Sequence, residues 1–285
     1  MKHDAAPPPP AHAVDLVGEE RLPLAERYAA LLATDGVVRG LIGPRETPRL
    51  WDRHLINCAL LARAIPTDAS VADIGSGAGL PGIVLAIVRP DLRITLIEPL
   101  LRRTTFLEEV VDELGLDHVQ VHRGRAESLA GDRRFDVVTS RAVAPLGRLL
   151  TWSMPLVAPT GHMVAMKGSS VADEIADAAD VVAQLRLSRP EVEFVPVHAG
   201  GTPGPVEAAD GDLDGAVPSP DGIHVVRVGW ADPGNVSLPR SSGTGRASAG
   251  GRRSAGSSGR RHSSGGGRRG GGGTGSGRRR GPRTD

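Results

Sequence analysis

Cysteine is nearly missing from this chain: Cys58 is the one thiol in 285 residues. No disulfide can form within the chain, and no thiolate zinc site can be built from it; no metal site is expected. Apolar runs of membrane-spanning length are absent as well. The first residues hold no apolar segment of the kind that opens a secretory leader. Together these absences lead us to expect a soluble cytoplasmic protein. Net charge is also small, +1, but it hides two unequal parts. From Arg240 to Asp285 the chain holds 12 Arg, 16 Gly and 9 Ser among 46 residues with a single acid, a charge of +11. The residues before it carry 22 Lys and Arg against 32 Asp and Glu, a charge of −10.

The basic tail has nothing with which to form a core, so 232–285 is expected to be disordered, as is the Pro-rich start, 1–13. About 225 residues remain, enough for one α/β domain. Residues 14–66 read as a helical N-terminal layer. Leu24, Tyr28, Leu31 and Leu32 recur at helical spacing, and a second helical stretch runs from Thr47 to Ala64 with Trp51, Leu55, Leu60 and Leu61. From 67 to 231 strands alternate with helices. The strands are expected at 70–75, 93–98, 119–122, 135–140, 162–167, 193–198 and 223–228. The first helix stops at Arg89-Pro90, and the second, with Leu107, Val110, Val111 and Leu114 on one face, ends at Gly115. A later helix carries Val171, Ile175, Ala178, Val182 and Leu185. Such alternation predicts a Rossmann-like, mostly parallel sheet. No helix separates the final two strands, so the last is expected to be antiparallel. The Gly/Pro/Asp-rich stretch 200–221 between them reads as a mobile loop.

The stretch Val71-Ala-Asp-Ile-Gly-Ser-Gly-Ala-Gly-Leu-Pro-Gly82 is a strand, a glycine-rich turn and a helix start. Gly75, Gly77 and Gly79 allow a ligand to approach the backbone more closely than a Cβ permits. Gly77, Gly79 and Gly82 also fit the spacing of a dinucleotide turn, where a pyrophosphate rests on the helix N-terminus. Asp73, two residues before the first glycine, argues for the other ligand class. It is placed to answer the positive charge of S-adenosylmethionine, and it would repel a pyrophosphate. Glu98 ends the second strand 23 residues after Gly75, where an acid reaches both hydroxyls of a ribose. Ala126 and Glu127 follow the third strand, in a loop that borders an adenine ring in such folds.

Thr139-Ser-Arg-Ala-Val-Ala-Pro-Leu146 ends the fourth strand, at the rim where ligands of parallel sheets bind. Arg141 there has the planar fork that grips a carboxylate or phosphate. Lys167 ends the fifth strand on the same rim. His54 and Asn57, in Trp51-Asp-Arg-His-Leu-Ile-Asn57, share a helix face. A lone helical His is more often structural, but His54 stands with Arg141 and Lys167 as a candidate for the reaction. The reaction itself is narrowed by two absences. The fourth strand is not followed by the Pro-Pro-aromatic arrangement that adenine amino methylation uses. The only thiol, Cys58, lies in the helical layer, away from the place a C5-pyrimidine nucleophile would occupy. A ring nitrogen with its own lone pair, such as guanine N7, needs neither device, and proximity alone can carry its methylation.

These motifs resemble one family. The runs WDRHLIN at 51–57, DIGSGAGLPG at 73–82, LIE at 96–98 and SRAVAPL at 140–146, with Lys167-Gly168, are similar in order and spacing to the bacterial small-subunit ribosomal RNA guanine-N7 methyltransferases, over about residues 20–230. The resemblance implies a class I S-adenosylmethionine-dependent methyltransferase fold and transfer of a methyl group to N7 of one guanine of 16S rRNA near the decoding site. It implies the small ribosomal subunit or its RNA as partner; no membrane partner is expected, and the protein is expected to be a monomer. It also implies that Gly75, Leu80, Ala126, Glu127 and Arg141 fall on cofactor positions. A nicotinamide-dependent reductase and a non-catalytic RNA-binding module driven by the basic tail remain as alternatives.

Overall fold

The computed structural model describes residues 6–141, 143–168, 170–198 and 222–236. The loop expected at 200–221 and the Arg/Gly tail beyond 236 lie outside them. The strands carry apolar residues at consecutive positions, and successive side chains of a strand point to opposite faces, so each strand must feed two cores. Val71, Val137, Val164 and Val225 face one core, and Ala72, Val138, Ala165 and Val226 face the other.

Among the described residues seven strands form one sheet: β1 (Ser70–Ile74), β2 (Arg93–Glu98), β3 (Val119–Arg123), β4 (Phe135–Arg141), β5 (Val157–Lys167), β6 (Glu191–Pro196) and β7 (Gly222–Gly229), in the order β3-β2-β1-β4-β5-β7-β6. The first five are parallel to one another. β7 enters antiparallel between β5 and β6. The chain moves outward from β1 to β3 and then returns to β4 on the other side of β1. That reversal opens a crevice beyond the carboxyl ends of β1 and β4, where α/β sheets bind ligands.

One face of the sheet is covered by the N-terminal helices α1 (Ala13–Val17), α2 (Leu22–Leu31) and α3 (Ile56–Leu61), together with α4 (Gly82–Val88) and α5 (Leu101–Leu114). Tyr28, Leu32, Leu50 and Trp51 of the N-terminal layer share a core with Val71, Ile83 and Phe106. α5 ends as the sequence indicates, with Gly115 in the left-handed region at φ +63°. The opposite face is covered by α6 (Leu146–Ser153), α7 (Val171–Asp177) and α8 (Ala179–Gln184).

The structure differs from the sequence reading in several places. Residues 6–13 are not a free arm. Ala6 packs against the core, the Trp51 indole Nε1 donates to the Pro7 carbonyl at 2.9 Å, and α1 begins at Ala13. Proline gives up its N–H, but its carbonyl still accepts and its fixed φ keeps the segment extended. Residues 232–236 form a turn in which Asp232 accepts from the Gly234 amide at 3.1 Å. The expected helix at 171–185 is two helices that meet at Ala178, seated on Gly147 of α6. One non-helical residue leaves the apolar spacing nearly intact, so periodicity does not register the break.

The stretch expected as a helix from Thr47 to Ala64 is helical throughout but changes pitch. A tight turn over Pro44–Arg49 contains Pro48, a wide π turn covers Leu50–Leu55, and α3 follows. The wide turn buries Leu50, Trp51, His54 and Leu55 together. It thereby brings His54 inward, toward the end of β4. Single π turns of this kind occur often at functional sites.

Candidate active site

The glycine turn between β1 and α4 is built by hydrogen bonds to its neighbours. The amides of Gly75 and Ser76 donate to the Ile97 carbonyl of β2 at 2.8 and 3.2 Å. Gly75 has φ +69°, and a Cβ there would lie 2.8 Å from Val143 Cγ2. Only glycine takes that backbone with Val143 folded over it. Gly82 opens α4 against the sheet; a Cβ on it would lie 2.2 Å from Leu96 Cδ2 and 2.7 Å from Asp73 Oδ2.

Two carboxylates hold this turn. Asp73 is wholly buried, and its Oδ2 accepts from the Gly82 amide at 3.0 Å. Its Oδ1 has no hydrogen-bond partner among the described residues. Burial pushes its pKa up to about 7, with the charge of Glu98 adding to the rise and the Gly82 amide and Ser76 hydroxyl opposing it. Glu98, 1% exposed, accepts from the Gly77 amide at 3.1 Å through Oε2 and from the Leu100 amide at 3.0 Å through Oε1. Arg103 Nη1 stands 3.4 Å from the same Oε2.

Beyond this turn lies a pocket of about 670 Å³, within the range of small-molecule sites. Of the residues singled out from sequence, Gly75, Gly77, Leu80 and Glu98 line it, as do Ala126, Glu127, Arg141 and His54. Asp73 lies just behind the wall. Gly79 turns the other way, packed on Ile83 and on the Tyr28 hydroxyl. Lys167 is not on the wall either. Its Nζ donates to Glu174 Oε2 at 2.7 Å and to the Ala144 carbonyl at 3.0 Å, while the Leu146 amide donates to the same Glu174 oxygen at 2.9 Å. Lys167 and Glu174 therefore brace the segment that leaves β4.

Arg141 meets His54 at the pocket wall. Its Nη2 donates to His54 Nδ1 at 2.6 Å, and its Nη1 lies 3.7 Å from Cys58 Sγ. His54 Nε2 donates to Glu46 Oε2 at 2.8 Å, and Arg53 holds the other oxygen of Glu46 at 3.1 Å. Burial, then the charge of Arg141, lowers the His54 pKa to about 4 against the pull of Glu46. Burial also pushes the Cys58 thiol up to about 11, so it is not a nucleophile.

Arg103 and Trp152 line the pocket without having been singled out from sequence, as do Leu41 and Ile42. Arg103 carried one weak signal, its place in the first turn of the helix that follows Glu98. Glu46 carried none: it lies eight residues before His54 with Pro48 between them, a spacing no single helix explains.

The strand order, the reversed β7 and an acid at the carboxyl end of each of the first two strands, both tied into the glycine turn, define a class I S-adenosylmethionine-dependent methyltransferase. The model of the family described as rRNA small subunit methyltransferase G (GidB) matches residues 21–199. Its relatives agree. The chain is 63% identical over 220 residues to ribosomal RNA small subunit methyltransferase G of Nocardioides sp., covering 77% of this chain and 80% of that protein. It is 57% identical over 196 residues to the protein of the same name from Salinispora tropica, covering 66% of this chain and 81% of that one. With that of Kineococcus radiotolerans it shares 52% over 231 residues, 77% of this chain and 89% of the other. The chain belongs to the rRNA small subunit methyltransferase G family.

Proposed function

We propose that the pocket holds S-adenosylmethionine and that the enzyme transfers its methyl group to N7 of a specific guanine of 16S rRNA, near the decoding site. The observation that carries the cofactor assignment is the occupancy of the turn amides. Gly77 donates to Glu98 and Gly82 donates to Asp73. A pyrophosphate would need those N–H groups and would meet two carboxylates in place of them. A cofactor bearing an ammonium and a sulfonium meets the complementary charge.

The fit extends along the wall. Glu98 Oε1, which accepts from the Leu100 amide alone, keeps a lone pair free to accept from a ribose hydroxyl. The orphaned Asp73 Oδ1 offers buried negative charge next to the turn, and Ala126 and Glu127 are placed to flank an adenine. Bound there, the cofactor supplies a methyl group activated by its sulfonium. Guanine N7 has a lone pair and no proton to lose, so no residue of this chain has to act as a general base. The task left to the protein is alignment. Arg141 is placed to hold the carboxylate of the cofactor or a phosphate of the RNA. His54, neutral at working pH, takes no proton from the base. Lys167 serves by holding the segment after β4, not by touching substrate.

Charge distribution supports an RNA substrate. The body is acidic overall, yet Arg102, Arg123 and Arg125 are exposed at the carboxyl ends of β2 and β3 and at the start of α5, and Arg45 and Arg49 are exposed on the turn before His54. A basic rim around a pocket in an acidic body favours a polyanion at that place. We read residues 67–231 as the methyltransferase domain, 14–66 as the layer that closes it, and the enzyme as a cytoplasmic monomer, where small-subunit RNA is made and used. No described helix is long and apolar enough to cross a membrane.

The test is to supply small subunits and naked 16S rRNA with radiolabelled S-adenosylmethionine and to locate the label by chain cleavage selective for N7-methylguanine. One labelled guanine is expected, and none with Arg141→Ala. Arg141→Lys should rescue poorly, since an ammonium lacks the planar fork. Label on an exocyclic amine or a pyrimidine carbon would overturn the N7 assignment. Tight NAD binding with no methylation would overturn the whole reading.

A further inference from the structure

Arg141 reaches the pocket from the end of β4, but two side chains from the N-terminal layer decide where its guanidinium sits. The three groups form a line: Glu46 Oε2 to His54 Nε2 at 2.8 Å, then His54 Nδ1 to Arg141 Nη2 at 2.6 Å. A guanidinium only donates and a carboxylate only accepts. The imidazole between them is therefore the Nε2–H tautomer, with the Nδ1 lone pair turned to Arg141. His54 is 6% exposed and fixed by the wide turn at Leu50–Leu55. Glu46 is itself oriented by Arg53 at 3.1 Å.

We propose that His54 and Glu46 are positioning residues for methyl transfer: Glu46 fixes the tautomer of His54, and the Nδ1 lone pair of His54 holds the guanidinium of Arg141 in its working place on the pocket wall. The inference rests on the reading of Arg141 as a group that touches cofactor or substrate. A protonated imidazole has no lone pair to offer Arg141, and burial together with the charge of Arg141 keeps His54 neutral down to about pH 4. The other ionisable groups around it are Arg53, whose charge also disfavours the imidazolium, and Glu46, which favours it. The hydrogen bond from His54 and the charge of Arg53 outweigh burial and hold the Glu46 carboxyl below its usual range, so it stays an acceptor.

The arrangement distinguishes two substitutions of similar polarity. An Asn side chain places its carbonyl oxygen near the position of Nδ1 and keeps an acceptor for Arg141. A Gln side chain places its amide near Nε2 and leaves Arg141 without one. Steady-state methylation of small subunits is compared for the unaltered enzyme and for His54→Asn, His54→Gln, Glu46→Leu and Arg141→Ala, with thermal midpoints recorded for each. His54→Gln and Glu46→Leu should lower kcat by roughly tenfold to a hundredfold, the scale of a misplaced reacting group, with the KM for S-adenosylmethionine changed less than about threefold. His54→Asn should retain most of kcat. In the unaltered enzyme, the nitrogen-15 shifts of the His54 ring should show a proton on Nε2 and none on Nδ1. That measurement stands even where a variant folds poorly. Equal kcat for His54→Asn and His54→Gln, or a proton found on Nδ1, overturns the proposal. If Arg141→Ala is inactive while both His54 variants are fully active, only the positioning role fails. If Arg141→Ala is fully active, the role given to Arg141 fails first and this one with it.

Discussion

Asp73 makes cofactor binding depend on pH in a calculable way. With the pocket free of cofactor, burial holds its carboxyl at about 7 instead of the ordinary 3.8. A positively charged ligand beside it stabilises the carboxylate, so the proton must leave as the ligand binds. At pH 6 about nine-tenths of the free protein carries that proton, and at pH 7 about half does. If the bound form is ionised throughout, affinity for S-adenosylmethionine falls about fivefold from pH 7 to pH 6, close to 1 kcal/mol, and approaches tenfold per unit below that. Between pH 6 and 7 the α-amino group of the ligand stays mostly protonated, below its ordinary 7.7–8.0, and His54, at about 4, does not titrate. Titration calorimetry at pH 6 and 7, each in two buffers of different ionisation enthalpy, reads both quantities. About 0.9 proton should be released per ligand at pH 6 and about 0.5 at pH 7. Asp73→Asn should bind weakly with no such slope. Flat affinity with no proton release, or proton uptake, would refute the argument. The same carboxyl affects stability without ligand. Its folded pKa is raised, so its contribution is full below pH 3.8 and is lost as pH rises through about 7, about 4 kcal/mol in all.

Three further outcomes are expected. Gly75→Ala forces a Cβ against Val143 at a backbone angle of +69°; it should lower stability by about 1–2 kcal/mol and weaken cofactor binding, measured by thermal melts and by calorimetry, whereas unchanged values in both would show that the turn is not held as described. Lys167→Met removes the brace on Ala144 and Glu174; it should cost activity mainly in kcat, and a rise in RNA KM alone would point to substrate contact in its place. Deleting 240–285 removes a charge of +11; RNA binding at low salt should drop and its salt dependence flatten, while the methylated base stays the same, and a changed base would assign base choice to the tail.

Much of this site was legible in the sequence because strand ends are legible. An apolar run that stops at Asp73 or Glu98, followed by glycine or proline, fixes both the residue and the rim it belongs to, and parallel topology then brings the rims together. That logic placed Gly75, Gly77, Glu98, Ala126 and Arg141 on one pocket. It failed for Lys167, which sits on the correct rim but is satisfied by Glu174, a partner in the following helix. It failed for Gly79 too, since glycines in one turn serve different neighbours: Gly75 makes room for Val143, and Gly79 for Tyr28 and Ile83. Glu46 was out of reach because its partnership with His54 depends on a change of helical pitch, and residue spacing assumes a constant one. The antiparallel β7 followed from the lack of a helix before it; its insertion inside β6 did not, because sequence order says nothing of which strand takes the edge.

That insertion bears on how the chain is made. Among the described residues β6 pairs only with β7, and β5 has β7 on its outer side. During synthesis the first five strands can join as they emerge, each beside a strand already present. β6 emerges with no place to go until Gly222–Gly229 follows. A chain halted before that point presents the open edge of β5, including Met163, Val164 and Ala165, which the finished sheet buries completely. Such an edge is a template for pairing with other chains, so the last described strand separates a folded enzyme from an aggregation-prone fragment.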